Sequence, residues 1–319
     1  MSEQPLTLLN PRILLPFMLV TLIWGSTWIV ITGQLGVVPP SWSVTYRFAV
    51  AGIAMFAFAI IRRERLWPGG PALAFALILG IAQFAFNFNF VYRAEQHITS
   101  GLVAVLFALL IVPNTLLGRL FLKTPLERRF LAGAGIAIVG VGMMILHEYC
   151  AAALGPAAVL TGTAFTLAGV TSASIANVMQ GTRIARAQSM TVMIAWAMLF
   201  GTLADGAFAW ITTGQPVIEP TAAYVGGVLY LGLIASAVTF PLYFNIIRAV
   251  GPGQAAWSSV LIPIIAMGFS TLFEGYHWAT LSIAGGVVAL IGLVIAVAKR
   301  PERPTISGNM VSVPVQRET

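Results

Sequence analysis

The chain contains few charged residues. Asp, Glu, Lys and Arg make up 8% of its 319 residues, whereas they make up about a quarter of a soluble protein. Hydrophobic residues make up 58%, and the mean hydropathy is +0.91. No single globular core can bury so much apolar surface, so the composition excludes a soluble domain and predicts an integral membrane protein.

Cysteine is nearly absent as well. The single Cys150 excludes an internal disulfide, and no cysteine cluster for a metal exists, so we expect neither metal nor cofactor. Residues 1–10 carry no Lys or Arg, so the first apolar run is interpreted as a retained helix and not a signal peptide. The net charge of +7 is scattered over short gaps between apolar runs, which argues against a nucleic-acid partner.

Long apolar runs recur along the chain, each close to the roughly 20 residues that a membrane-spanning helix needs. They predict an all-α membrane protein with ten helices, at residues 13–33, 42–61, 72–92, 98–118, 129–147, 157–181, 190–211, 223–247, 254–273 and 279–298. Residues 1–12 are then a cytoplasmic N-terminal segment. The polar residues 299–319 are predicted to form a disordered cytoplasmic tail.

The basic residues fall almost entirely on one side of this layout. With the N-terminus in the cytoplasm, every Lys and Arg except Arg47 and Arg93 lies on the cytoplasmic side. This asymmetry is the one that the positive-inside rule describes. Both termini are therefore predicted to be cytoplasmic, in a multi-pass protein of a bacterial inner membrane.

The two halves of the chain resemble each other. Several residues recur at a constant offset: Leu120-Phe121 as Leu272-Phe273, Gly133 as Gly285 and Gly140 as Gly292. We therefore predict a five-helix unit at 13–147 that is repeated at 153–298. Because five is odd, the two copies must point in opposite directions, and substrate sites in such inverted repeats lie at the repeat interface near the midplane.

One motif points to a known family. Trp24-Gly25-Ser26-Thr27-Trp28 in the first span, Arg47-Phe48 in the second, and proline-bearing fourth and ninth spans that precede glycine-rich ones resemble the EamA branch of the drug/metabolite transporter (DMT) superfamily. The resemblance covers residues 13–298 and implies export of metabolites or amino acids through a central cavity. Members often carry acidic residues before the proline of the fourth span and at its far end. This chain has Val112 and Lys123 there, while the second half keeps Glu274.

Uncharged polar and aromatic side chains lie at predicted membrane depth in several spans. Gln83 and Asn87, for example, are four residues apart and share one helix face. The predicted substrate site consists of Trp24, Ser26, Thr27, Gln83, Asn87, Asn177, Ser236, Thr239, Tyr243, Trp257 and Ser258. Such a set suits neutral or zwitterionic molecules with an apolar part, since a polyanion requires buried Lys or Arg. The alternative role of each hydroxyl or amide is a hydrogen bond that holds helices together.

Two charged residues need a separate interpretation. Arg47 lies about one and a half turns into the second span, and Asp205 lies at the corresponding depth of the seventh. They are either a structural ion pair, or Arg47 binds a substrate carboxylate. No carboxylate is expected at the midplane, so the carrier is either facilitative or coupled through groups on the outer side.

The sequence thus predicts a secondary transporter that exports small amphipathic metabolites, amino acids or related compounds, by alternating access. Its expected partners are a small-molecule substrate and the lipid bilayer. Packing within one monomer explains the glycine-rich spans as well as a dimer does, and a monomer is expected over a homodimer. A broad-specificity exporter of drugs or toxic compounds is the main alternative. A channel or a lipid-processing enzyme is the less favoured one, because no filter loop and no intramembrane catalytic cluster is visible.

Overall fold

Ten apolar helices in two sets of five form the protein, in a computed structural model that describes residues 8, 10–123, 126–151, 154–250, 255 and 257–297. The first set consists of α1 (Pro11–Thr32), α2 (Pro40–Ile61), α3 (Gly70–Ala94), α4 (Ser100–Leu122) and α5 (Arg128–Ala151). The second set consists of α6 (Pro156–Gln180), α7 (Met190–Thr213), α8 (222–250), α9 (Ser258–Phe273) and α10 (Thr280–Val297).

The predicted fold class is confirmed. Nine helices are long and apolar enough to span a membrane, α9 is a shorter apolar helix, and the described residues contain no strand. The predicted tail at 299–319 and most of the N-terminal segment lie outside the described residues. We call the end of the bundle where α1 begins the near end, and the end where α1 terminates the far end.

The contacts between helices show a pseudo-twofold pattern. Helix α1 packs on α8 and α9 of the other set, and α6 correspondingly packs on α3 and α4. Helix α2 packs on α7, and α5 packs on α10. The pseudo-twofold operation exchanges the two members of each of these pairs. The two five-helix sets therefore interlock, with α1 and α6 each inserted between helices of the opposite set.

Helices α3 and α8 widen into π-helical segments at equivalent places, Ile81–Phe86 and Tyr230–Val238. Each segment contains a carbonyl that accepts a side-chain hydrogen bond from the opposite set. The Ser172 hydroxyl of α6 donates to the Ala82 carbonyl at 2.8 Å, and the Trp24 indole of α1 donates to the Ala235 carbonyl at 3.1 Å. Because no water is present in the bilayer core to do so, these side chains satisfy backbone groups that the irregular helices leave exposed.

Helix α4 is interrupted halfway, at Leu109 and Leu110. Pro113 has no N–H, and its ring crowds the carbonyl four residues earlier, which disfavours a regular helix here. The backbone instead forms tighter turns, in which the N–H groups of Leu109 and Leu110 donate to Leu106 and Phe107. The interruption separates the far-end half of α4 from the near-end half, which carries Asn114.

Helices α5 and α10 touch through glycine. A Cβ atom on Gly140 would overlap the backbone of Ala289, and one on Gly292 would overlap the backbone of Ala137. The absence of side chains at these positions lets the two backbones approach closely. The glycine faces of the two spans are therefore used for packing within the chain.

A methyl group at Gly140 should destabilise the protein, whereas one at Gly142 should not. Gly142 lies on the same helix, and a Cβ there would meet nothing within 4 Å. We expect Gly140→Ala to lower the stability by about 1–3 kcal/mol through overpacking, and Gly142→Ala to be neutral or stabilising because alanine is the better helix former. Thermal unfolding in detergent measures both, and equal melting temperatures for the two variants would contradict the described α5–α10 contact.

Candidate functional site: a cavity between the two helix sets

A cavity of about 250 Å³ lies in the middle of the bundle and is bordered by α1, α2, α3, α4, α6, α8 and α9. Both helix sets contribute to its walls. Its polar and aromatic lining residues are Trp24, Thr27, Trp28, Arg47, Gln83, Asn87, Phe88, Phe107, Asn114, Asn177, Phe240, Tyr243, Ser258 and Ser259. Apart from Arg47, no lining residue carries a charge.

Part of the predicted substrate site lines this cavity: Trp24, Thr27, Gln83, Asn87, Asn177, Tyr243 and Ser258. The Trp24 ring is held in place from two sides. It contacts the rings of Phe240 and Tyr243, with centroids 5.5 Å and 4.9 Å away, while its indole N–H is bound to the Ala235 carbonyl. Trp24 therefore presents a rigid aromatic wall to the cavity.

Four other predicted site residues do not line the cavity. Ser236 and Thr239 donate to the carbonyls of Leu231 and Ile234, five residues earlier, within the π-helical turn of α8. Ser26 lies 2.7 Å from the Tyr230 hydroxyl, and Trp257 packs into an apolar cluster with Phe17 and Ile246. Ser26 and Trp257 thus contact neighbouring helices, which for Ser26 was the alternative role, whereas the hydroxyls of Ser236 and Thr239 donate within α8.

Arg47 is buried, at 2% exposure, and lines the cavity from α2. Its guanidinium lies 4.3 Å from the centre of the Phe88 ring and 5.2 Å from that of Phe48, and its Nε donates to Ser236 Oγ at 3.3 Å. The Nη1 group has no hydrogen-bond partner among the described residues. A buried cationic donor without an acceptor costs free energy, and a ligand that accepts its hydrogen bond would remove that cost.

The predicted ion pair between Arg47 and Asp205 is not formed. In the described part of the chain, Arg62 and Glu64 make the one ion pair, at 3.9 Å. Thr45 faces Gly206 of α7, and Arg47 lies two residues further along α2, which is about half a turn around the helix. Arg47 therefore points toward the cavity and away from Asp205.

Asp205 belongs to a separate buried polar cluster between α2, α3 and α7. Its Oδ1 accepts a hydrogen bond from the side-chain amide nitrogen of Asn89. The side-chain amide oxygen of Asn89 accepts one from the Ser41 hydroxyl at 2.6 Å. Arg93 donates to Ser41 at 3.4 Å, and Asp205 Oδ2 has no partner among the described residues. The cluster does not border the cavity.

The sequence analysis missed two polar or aromatic lining residues that had a detectable signal. Trp28 follows Trp24 by four residues, so the two indoles share one helix face. Asn114 follows Pro113 in an apolar run, and lies 3.4 Å from the Asn177 amide across the cavity. Phe107 and Phe240, by contrast, gave no signal among the many phenylalanines.

The cavity opens toward the near end and is closed at the far end. Near-end Asn177 is exposed, and Asn114 is half-buried. At the opposite end Ile31 and Val91 line the cavity and are each 1% exposed. Among the described residues, the cavity lining is thus exposed at the near end and buried at the far end.

A larger recess of about 640 Å³ lies between α4, α5, α9 and α10. It is almost entirely apolar. Its few polar groups include Thr271 and Trp278, which are hydrogen-bonded to each other at 2.9 Å. The recess offers little to orient a polar molecule, so the smaller central cavity is the candidate site.

The fold and the cavity agree with what comparisons with known proteins show. The chain matches the EamA-like transporter family twice, over residues 12–146 and again over residues 160–298. It belongs to this family. The identification as a transporter and not an enzyme, and the two-repeat fold, are thereby confirmed.

Several relatives of this EamA-like protein are similar over nearly their whole length. Protein PagO of Salmonella typhimurium is 26% identical over 89% of this chain and 92% of its own, and the uncharacterized inner membrane transporter YedA of Escherichia coli K12 is 29% identical over 90% and 92%. A probable amino-acid metabolite efflux pump of S. typhimurium is 24% identical over 88% and 93%. One crystal structure with 20% identity has the same fold, with a TM-score of 0.64 over 88% of this chain and 95% of that one.

Cysteine labelling can test which side chains line the cavity. In a Cys150→Ala background, we expect Ser259→Cys to react with a small methanethiosulfonate at least about ten times faster than Ser236→Cys, since Ser259 lines the cavity and Ser236 is fully buried beside it. Both changes replace one hydroxyl by a thiol, so each serves as the other's control. Equal rates would show that the cavity is misplaced.

Proposed function

We propose that the protein exports small neutral or zwitterionic amphipathic metabolites, amino acids or related compounds, across the inner membrane. Transport proceeds by alternating access between the two five-helix sets, which border the cavity together. The observation that carries the proposal is that two residues lining the cavity each have a buried polar atom without a hydrogen-bond partner among the described residues, the donor Arg47 Nη1 and the acceptor Asn87 Oδ1.

The two groups are complementary to the two ends of an amino acid. Arg47 Nη1 can donate a charge-assisted hydrogen bond to a carboxylate. Asn87 Oδ1 can accept one from an ammonium group, and the faces of Trp24 and Trp28 attract a cation and pack against an apolar side chain. Among the described lining residues Arg47 is the one cation, which also disfavours dicarboxylates and phosphates, because their second negative charge would find no cationic partner.

The size of the cavity favours a metabolite over a drug. Sites for drug-sized ligands measure about 300–1,000 Å³, and this cavity measures about 250 Å³. The relative named a probable amino-acid metabolite efflux pump supports the same substrate class. A broad-specificity exporter remains the alternative, and a purified protein that binds bulky hydrophobic cations in preference to amino acids would favour it.

The direction of loading depends on the predicted orientation. The positive-inside rule predicts that the near end lies in the cytoplasm. With this orientation, an opening at the near end serves the uptake of substrate from the cytoplasm. The inner-membrane location agrees with the name of the relative YedA.

Removing the aromatic wall and the neighbouring hydroxyl should abolish transport. We expect Trp24→Ala combined with Thr27→Ala to reduce efflux of neutral amino acids at least about tenfold, because both residues line the cavity. Trp210→Ala with Thr212→Ala on the exposed surface of α7 is the matched control and should transport normally. Efflux from proteoliposomes with equal protein content measures this, and full activity of the cavity variant would refute the assigned site.

Replacing Arg47 should affect substrates according to their charge. We expect Arg47→Gln to raise the KM for amino acids about tenfold or more, since a hydrogen bond to a charged group contributes about 1.5–3 kcal/mol. The KM for the corresponding amines, which lack a carboxylate, should change little. Arg62→Gln, at a position exposed at the membrane surface, removes the same charge and serves as the control. An equal KM increase for acids and amines would assign Arg47 a structural role only.

A further inference from the structure

Four polar side chains lie together beyond the far end of the cavity: Thr32, Glu95, Ser100 and Glu274. Thr32 is the last residue of α1, Glu95 follows α3, Ser100 begins α4, and Glu274 follows α9. Thr32 Oγ1 lies 2.8 Å from Glu95 Oε2 and 3.3 Å from Glu274 Oε1. Glu274 belongs to the second helix set and the other three to the first, so separation of the sets at this end breaks these contacts. We call the four residues the far-end gate.

Glu274 is surrounded by donors that suit a carboxylate anion. Its oxygens accept the backbone N–H of Ser100 at 3.1 and 3.2 Å and the Ser100 hydroxyl at 2.6 Å. Ser100 is the first residue of α4, where the positive end of the helix dipole favours a negative charge. These contacts make the Glu274 side chain a hydrogen-bond acceptor for the first residue of α4.

Glu95 has a different environment. It is 7% exposed, its Oε1 has no partner among the described residues, and its Oε2 contacts Thr32. The Thr32 hydroxyl carries one hydrogen and cannot donate to both carboxylates at once. If Glu95 is protonated, it can donate to Thr32, which in turn donates to Glu274. One added proton thus completes the chain of hydrogen bonds between the two helix sets.

Burial, the largest cause of its raised pKa, also favours the protonated form of Glu95. Burial raises the pKa of Glu95 well above its ordinary value, the hydrogen bond from Thr32 opposes this, the charge of Glu274 raises it further, and attraction to Arg47 of α2 lowers it. The burial contribution is the largest. Glu95 lies just beyond the last residue of α3.

The other titratable groups near the gate have partners of their own. Tyr92 on α3 donates to Gln34 at 2.9 Å, and Arg93 donates to Ser41. The His97 ring stacks on Phe165 of α6, 6.0 Å away. Tyr276, two residues beyond Glu274, is the exception: its ring packs edge-on against Trp278 with centroids 5.2 Å apart, and its hydroxyl has no hydrogen-bond partner among the described residues.

We propose that the far-end gate is a proton-binding site, in which Glu95 holds one proton while the gate is closed and loss of that proton opens the cavity at this end. The inference rests on the proposed function, because a gate at one end serves a carrier that works by alternating access. It assigns the proton to a carboxyl pair shared between the two helix sets, outside the substrate cavity.

The direction of the pH effect is set by linkage. An opened gate exposes Glu95 to water and returns its pKa to the ordinary range, so the closed state binds more protons than the open one. Between the ordinary and the raised pKa, protonation stabilises the closed gate, and this advantage is lost as the pH rises through the raised value. Alkaline conditions at the far end therefore favour opening.

The accessibility of a cysteine on the cavity side of the far-end gate tests the proposal. Ile31 lines the cavity directly before Thr32 and is 1% exposed, and Val37 in the following loop is 67% exposed. In a Cys150→Ala background, intact cells are treated with a membrane-impermeant thiol reagent. We expect labelling of Ile31→Cys, relative to Val37→Cys, to rise about tenfold between about pH 6 and about pH 9, since one pKa unit corresponds to a tenfold change. The Val37→Cys reference corrects for thiol ionisation.

Labelling of Val37→Cys also shows which side the far end faces. If it is unreactive from outside, the same comparison is made with inverted vesicles. Val91→Cys, which lies on α3 in the same cavity wall, is a second reporter in case Ile31→Cys does not fold.

Two glutamine substitutions separate the gate from other carboxylates. Glu95→Gln keeps the shape and a hydrogen-bond donor but cannot ionise, so we expect slow labelling at every pH. Glu219→Gln changes a far-end glutamate that bonds Thr221 outside the gate, and should behave like the parent protein.

Three results would overturn the proposal. They are pH-independent labelling of both reporters, a pH effect that persists in Glu95→Gln, and a pH effect that disappears only in Asp205→Asn, which would place the proton in the buried α2–α3–α7 cluster. The labelling experiment needs no substrate. If labelling does not depend on pH but amino-acid efflux is intact, only the gate proposal is refuted. If labelling depends on pH as expected but amino acids are not transported, only the proposed substrate class is refuted.

Discussion

No water reaches the core of a bilayer, so every backbone N–H and carbonyl there needs a partner within the protein. Three helices that border the cavity, α3, α4 and α8, depart from regular helix geometry. In α3 and α8, side chains of the opposite five-helix set bind carbonyls of the irregular segments, Ser172 at Ala82 and Trp24 at Ala235. The distorted backbone that shapes the cavity thus depends on contact between the two sets. A movement of one helix set relative to the other therefore also changes the shape of the cavity.

The buried ionisable groups show a related principle. Arg47 lies against aromatic faces, Asp205 accepts from an amide, and Glu95 is bridged to a second carboxylate by a hydroxyl. None of the three is in an ion pair within the described ranges, and each has one polar atom without a partner. A membrane protein retains such groups at considerable cost. A ligand at Arg47 and a proton at Glu95 would each remove part of that cost, which connects substrate binding and gating to the same physical requirement.

The two repeats have the same fold, but the two ends of the bundle differ in their acidic residues. The far end has the acidic gate residue Glu274 after α9, while the corresponding end of α4 leads into Lys123. The contacts that close the far end therefore have no acidic counterpart at the near end. Inverted repeats allow both ends to open in turn, and this difference in sequence gives one end its own chemistry.

The sequence by itself determined the membrane environment, the ten helices and the duplication, because composition, apolar run length and residue offset do not depend on how helices pack. It also indicated Trp24, Thr27, Gln83 and Asn87, whose helical spacing at membrane depth places them on inward faces. Tertiary structure decided which hydroxyls face the cavity. Ser236 and Thr239 bond to their own π-helical turn, and a π-helix cannot be read from residue types. It also decided that Arg47 and Asp205 stay apart and that Glu95 meets Glu274. Those outcomes depend on the rotation of α2 and on contact between residues in different halves of the chain, which no local pattern encodes.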